Sequence, residues 1–235
     1  MNDSREFYNR TADIYDMKHA SPTTFWLRRA EGKLIKRFAK GRVLDAGCGT
    51  GQWLSPGTVG IDVSEAMLRI ARDKAKPPLV QGEIERLPFR DSSFDTVLNM
   101  FTTFNKCDWK PAAREMSRVL RPGGFCLLSV SSVWDNNYSF LEKLRARSPP
   151  REMTYSANKV KTSHRMFEKK EFIGLLESEG LKLAHFDSVF ALQKPRWCTF
   201  KGFSLWEKIK LRLERLLPLR QYGCLYLAAF EKRRQ

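Results

Sequence analysis

The chain has 235 residues, 42% hydrophobic and 12% aromatic, enough to bury one sizeable core, which excludes wholesale disorder. Lys and Arg number 42 against 26 Asp and Glu, a formal net charge of +16 that calls for an acidic partner, a surface or a general compositional bias. Five widely spaced cysteines (Cys48, Cys107, Cys126, Cys198, Cys224) without a C-x-x-C pair argue against a disulfide framework or a zinc site and for a reducing compartment. The first residues lack the apolar stretch of a signal peptide, and the longest apolar run, 224–230, is strand-sized and far short of the ~20 residues of a membrane helix. The expectation is a soluble, cytoplasmic protein.

Residues 1–42 read as helical and basic. Alternating short strands and amphipathic helices follow over 43–131. Val43 to Ala46 is a strand that runs into a glycine turn, and Thr58 to Ile61 is a second. A helix then carries Met67, Leu68 and Ala71 on one face with Ser64 as its N-cap. Leu79-Val80 and Phe94 to Leu98 are the third and fourth strands. The next helix has Pro111 near its first turn, carries Met116, Val119 and Leu120, and stops at Pro122-Gly123-Gly124. Phe125 to Val130 is the fifth strand. Such alternation predicts a parallel sheet covered on both faces, with the ligand beyond the carboxyl ends of the strands.

Residues 132–167 show no clear period, carry Pro149-Pro150, and read as a long insertion. In the remaining 168–235, a helix from Glu168 to Glu179 turns Phe172, Leu175 and Leu176 inward and ends at Gly180. Strands are expected near 181–186 and 225–230, with a basic amphipathic helix over 205–217 between them. The whole 1–235 reads as a single domain.

The most informative stretch is Val43-Leu44-Asp45-Ala46-Gly47-Cys48-Gly49-Thr50-Gly51. Glycine at every second position lets the backbone pass close beneath a ligand. Asp62, ending the second strand, can accept both hydroxyls of a ribose. Asp45, directly ahead of the loop, would repel a pyrophosphate but suits a ribose-bearing ligand with a cationic amino-acid tail. The bland reading of both acids is that each caps a turn or helix.

This segment resembles the class I S-adenosylmethionine-dependent methyltransferases, in particular the type 11 group related to ubiquinone and menaquinone biosynthesis enzymes. Residues 60–68, 81–89 with 93–95, and 115–124 look like the family's later motifs in order, across about ninety residues. The resemblance implies a Rossmann-like α/β fold, doubly wound and mostly parallel, with seven strands and an antiparallel last strand. It implies S-adenosyl-L-methionine as cofactor, with Gly47 against its methionine part and Asp45, Cys48, Gly49 and Val63 also among the cofactor-binding residues. Asp62 would hold the ribose, Met67 would pack near the adenine, and Glu83 and Ile84 would read its edge. Asn99 and Met100 would border the methyl group, and Tyr8 and Tyr15 would form an amino-terminal cover. Two departures stand out: only Gln52 to Val59 separates the loop from Gly60, where the family has a full helix, and Glu83 replaces the commoner Asp.

Methyl transfer from a sulfonium needs alignment and exclusion of water more than an acid or base, and the family supplies no universal catalytic residue. Of the three histidines, His185 falls in an expected strand. His164 ends the insertion and is the one weak candidate for a base, ahead of His19. Asp135, Tyr138 and Tyr155 share the insertion without distinguishing themselves.

The charge is concentrated outside the cofactor core. Residues 43–131 hold 11 basic and 10 acidic side chains, whereas 1–42 hold 10 and 5, 132–167 hold 7 and 3, and 192–221 hold 8 and 2. A basic mouth favours an anionic methyl acceptor: a phosphorylated or carboxylated metabolite, a lipid at an anionic membrane surface, or RNA. Trp206, Ile209, Leu213, Leu216 and Leu217 form an apolar stripe, which suits a membrane interface or packing on the protein itself. Arg196-Trp197 and Phe200-Lys201 interleave charge and rings as nucleic-acid surfaces do. Leu87 to Asp91 is similar to the tRNA wobble-uridine carboxymethyl methyltransferases, but Phe101 to Asn105 lacks their paired histidines. The leading expectation is a methyltransferase for a small or lipid-like anionic acceptor, with an RNA methyltransferase or a non-catalytic cofactor-binding module as alternatives.

Overall fold

Strands apolar along their whole length need cover on both faces, and the short runs after Arg42 meet that requirement. The computed structural model describes residues 2–75, 78–134, 140–145, 149, 151–157, 160–192, 202–214, 216 and 219–234. Two helices come first, α1 (Asn2–Lys18) and α2 (Pro22–Phe38). Ser21 caps α2 by accepting the Thr24 N–H at 3.2 Å, with Pro22 in the first turn. The core follows as β1 (Val43–Ala46), β2 (Thr58–Asp62), α3 (Glu65–Ala75), β3 (Leu79–Gln81), β4 (Phe94–Asn99), α4 (Trp109–Val119) and β5 (Leu120–Ser131). Beyond it lie α5 (Phe140–Arg145), β6 (Glu152–Ala157), β7 (Val160–Arg165), α6 (Lys169–Ser178), β8 (Leu181–Val189), α7 (Leu205–Leu213) and β9 (Leu225–Lys232).

Seven strands form one sheet in the order β3-β2-β1-β4-β5-β9-β8. The five from β3 to β5 are parallel, and β9 is antiparallel to both of its neighbours. This is the expected α/β architecture with its antiparallel last strand. The order reverses between β1 and β4, which opens a crevice at their carboxyl ends. Leu44, Ile61, Val97 and Leu128 point to one core with Met116 and Phe172, while Leu98, Leu127 and Leu227 point to the other with Leu27 and Leu34 of α2. Ser64 caps α3 as expected, accepting the Met67 N–H at 3.2 Å.

Three features depart from the sequence reading. Leu120 opens β5 instead of closing the helix, and Pro122-Gly123-Gly124 lies within the strand. A register shift between Phe94 and Thr96 takes up the turn there, with Gly123 at φ +75°. The stretch read as a long insertion without clear period contains α5 and a β6–β7 hairpin. Its inward positions on β7 are the buried Thr162 and His164, too polar to show as hydrophobic alternation. Finally, α7 ends at Leu213, four residues before the expected Leu217, which itself lies outside the described residues along with Asp135, Tyr138, Arg196, Trp197, Phe200 and Lys201. Among the described residues no helix is long and apolar enough to cross a membrane.

Candidate active site

The glycine loop leaves β1 at the crevice and is held from behind by main-chain bonds. The N–H groups of Gly47 and Cys48 both donate to Ile61 O, at 2.7 and 3.0 Å. Gly47 sits at φ +83°, and a Cβ there would come within 2.3 Å of Thr103 Cγ2, so only glycine fits. At Gly49 (φ +52°) an added Cβ would meet nothing within 4 Å, because this face of the loop looks into open space.

Asp62 ends β2 and accepts the Gly49 N–H at 2.9 Å through Oδ2 and the Ser64 N–H at 2.9 Å through Oδ1. One carboxylate thereby fixes both the loop and the start of α3, and Asp62 lines the larger of two clefts over the loop. Burial raises its pKa, while the N–H groups of Ser64, Gly49 and Val63 oppose that rise.

Two clefts meet over the loop, sharing Tyr15, Gly47, Gly49, Phe101 and Thr103. The larger holds the expected Tyr8, Asp62, Val63, Met67, Glu83 and Ile84. The smaller holds the expected Asp45, Cys48 and Met100. Asn99 lines neither cleft. It is fully buried behind the loop and donates from Nδ2 to Ala46 O at 2.9 Å, so it props β1 where a border to the methyl group was expected. His164 is likewise not in the cleft wall. Burial and the nearby Lys106 push its pKa down to about 3, far too low for a proton acceptor at neutral pH. Tyr155 lies in β6, its side chain outside the described ones.

Several wall residues escaped the sequence reading because only tertiary packing brings them in. Arg28 and Glu31, on consecutive turns of α2, enter the smaller cleft opposite Asp45. Oε2 of Glu31 and Oδ2 of Asp45 are buried without a hydrogen-bond partner, as is Nε of Arg28. Burial lifts both carboxyls to about 7, and Asp62 and Glu31 add to the rise at Asp45. Phe101 and Thr102 leave β4 at φ +54° and +64°, a strained pair for non-glycine residues. The Phe101 N–H is held by Glu31 Oε1 at 3.0 Å and Ser129 Oγ at 2.7 Å. Lys106 reaches the larger cleft, its Nζ bonded to the Tyr8 hydroxyl, and burial brings its pKa down to about 8.

The missing helix after the loop is replaced by turns, and the cover supplies the wall. Trp53 lines the smaller cleft against α2, and Thr50 donates to Asp16 of α1 at 2.7 Å. Asn9 Oδ1 accepts from the Ser64 hydroxyl at 2.7 Å, and Arg5 pairs with Glu83 at 3.5 Å. Tyr8, Tyr15 and Phe101 make an edge-to-face chain over the loop, with centroids 6.1 and 6.5 Å apart.

Two buried carboxylates that each keep one unpaired oxygen, with a guanidinium lining the same cleft, match the ammonium and carboxylate of an amino acid. The adjoining ribose-accepting Asp62, apolar Met67 and Ile84, and aromatic faces match a nucleoside joined to it through a cationic centre. The residues present therefore fit S-adenosylmethionine from end to end. Fold and site together define a nucleoside-binding α/β transferase of the class I methyltransferase architecture.

The comparisons agree. The family model described as a methyltransferase domain matches residues 44–128. A Staphylococcus aureus demethylmenaquinone methyltransferase is 33% identical over 165 residues, covering 57% of this chain and 68% of that one. A Methanocaldococcus jannaschii protein of unassigned function is 30% identical over 196 residues, 77% of each chain. A solved S-adenosylmethionine-dependent methyltransferase from Thermotoga maritima shares the fold at TM-score 0.67 and 21% identity, over 97% of this chain and 99% of that one. The chain belongs to the class I S-adenosylmethionine-dependent methyltransferases.

Proposed function

We propose that the acceptor of this methyltransferase is a small, quinone-like or otherwise lipid-like molecule that presents an anionic or acidic group to Lys106. The observation that carries the reading is the ammonium of Lys106 in the wall of the larger cleft, beside the Tyr8 hydroxyl. Its lowered pKa reflects the cost of holding a charge out of water, a cost that an acceptor anion would offset. The roof formed by α1 over the cleft supports a small acceptor over a polymer, and the relatives that are demethylmenaquinone methyltransferases support a quinone-like one.

Bound S-adenosylmethionine supplies a methyl group on a positively charged sulfur with a thioether as leaving group. This chain's residues bind, orient and exclude water. Asp45, Glu31 and Arg28 would hold the amino-acid end, and Asp62 the ribose. The rings of Tyr8, Tyr15 and Phe101 would favour the cationic centre and keep water from it. Lys106 would fix the acceptor by its charge and stabilise it as the anion, the more nucleophilic form.

The reading is tested by incubating the protein with methyl-labelled cofactor and separated lipid, metabolite and RNA fractions. Label is expected in organic-extractable or small-molecule material. With that fraction as substrate, Lys106→Met should raise KM for the acceptor at least tenfold, and Lys106→Arg should recover part of it. Label confined to RNA, or an unchanged KM in Lys106→Met, overturns the reading.

A further inference from the structure

Eight large apolar side chains are exposed among the described residues: Met17, Phe25, Leu141, Leu144, Leu205, Trp206, Leu213 and Leu216. All lie on α1, α2, α5 or α7, or three residues past α7, and none on α3, α4 or α6. The densest group is on α7, where Leu205 and Trp206 are 76% and 70% exposed, and Leu216 just beyond is 80% exposed.

The helix is turned so that its apolar stripe faces away from the protein. Leu211 is its buried contact, packed with Phe203 in the core that contains Leu27 and Met100. At ~100° per residue, Leu205, Trp206, Ile209 and Leu213 fall on the side opposite Leu211. Lys208 and Arg212 border that stripe on one side and Lys210 on the other, all three exposed. The two acids of this stretch are turned to internal tasks. Glu207 completes the capping box with Ser204, and the buried Glu214 accepts the N–H groups of Phe190 and Ala191 at 3.1 and 2.9 Å. Among the described residues, the outward face of α7 therefore presents apolar and positively charged groups.

We propose that this face of α7 docks on an anionic lipid bilayer, with Leu205, Trp206, Ile209 and Leu213 entering the headgroup boundary and Lys208, Lys210 and Arg212 on its phosphates. An outward apolar stripe edged by basic residues is the pattern of a helix lying in a membrane interface. A second copy of the chain would bring the same positive face against it. RNA would be matched by the bases but would leave four large apolar groups uncovered. Beside α7, Trp26 of α2 meets Phe203, two residues ahead of the helix, at a centroid distance of 6.4 Å. Glu214 ties the end of α7 to Phe190 and Ala191, just past Val189, which pairs with Leu225 beside Ser131 at the carboxyl end of β5, so docking would bring the membrane to the cofactor end of the sheet. The proposal stands apart from the acceptor reading, since it rests on surface residues outside the clefts.

Co-sedimentation with vesicles of phosphatidylcholine, with and without phosphatidylglycerol, tests it. The wild-type chain should pellet with the anionic vesicles. Trp206→Ser/Leu213→Ser, which keeps every charge, and Lys208→Gln/Lys210→Gln/Arg212→Gln, which keeps the apolar stripe, should each weaken binding about tenfold or more. Both should bind S-adenosylmethionine as the wild type does, showing that the fold is intact. Vesicle binding by the serine variant equal to wild type would mean generic attraction of a basic chain and overturn the proposal. So would failure of the wild type to bind, with or without RNA binding that only the glutamine variant loses. A wild-type dimer that the serine variant dissolves, in place of vesicle binding, would overturn it too.

Discussion

Glu31 of α2 accepts the backbone N–H of Phe101 at 3.0 Å and also bonds the Ser129 hydroxyl, joining the cover to the ends of β4 and β5. It thereby clamps the strained Phe101–Thr102 turn that shapes both clefts. Glu31→Ala removes this buried acceptor and should cost about 1–3 kcal/mol in chemical denaturation. Glu31→Gln keeps the Phe101 bond but loses the charge. It should retain most of that stability while weakening cofactor binding by several-fold in calorimetry.

Asp45 and Glu31 make the site pH-dependent. In the ligand-free fold they hold their protons to about pH 7, whereas unfolded carboxyls release theirs near pH 4. The native state binds more protons than the unfolded chain between those limits, so the stability of the ligand-free protein should fall as pH rises from about 4 to 7. A bound cation favours the ionised forms, so cofactor affinity should rise over the upper part of the same window. The rise should reach up to ~tenfold per pH unit per group and level off above about pH 7. Thermal melts with and without cofactor at several pH values check both trends, and parallel curves would contradict them.

Asp62→Ala should lower cofactor affinity by well over tenfold, since it removes the ribose acceptor and frees the Gly49 and Ser64 N–H groups together. Asp62→Asn, which keeps an acceptor oxygen, should fall between. Unchanged affinity in the alanine variant, measured by calorimetry, would remove Asp62 from the site.

Gly47→Ala should destabilise the protein by 1 kcal/mol or more and abolish cofactor binding. The added Cβ would collide with Thr103 at 2.3 Å, and the +83° φ is one that alanine resists. Gly57→Ala, at φ +86° but with open space around it, isolates the backbone penalty and should leave binding unaltered.

The parts of the site legible in sequence are those carried by contiguous chain: Asp45 and Asp62 near the ends of β1 and β2, the glycines and the 83–84 pair on the turns that follow strands, and Met67 in the first turn of α3. Arg28, Glu31 and Lys106 were invisible because a charged residue on an amphipathic helix or a short turn reads as a solvated one. Only the docking of α2 on β5 and β9 takes Glu31 out of water. Asn99 shows the opposite error, a residue at the right place in the motif whose side chain turns to the main chain. The hairpin β6–β7 was missed because its alternation is of polar side chains. The outward turn of α7 was undecidable from a stripe that would serve equally well facing in.

The position of β9 between β5 and β8 has a consequence for biosynthesis. Until residues 225–232 leave the ribosome, β5 has a bare apolar edge, β8 has no partner in the sheet, and α2 lacks part of the layer it rests on. Nascent chains halted before Leu225 should depend on chaperones and precipitate when released, since β9 completes the layer on which α2, made long before it, comes to rest.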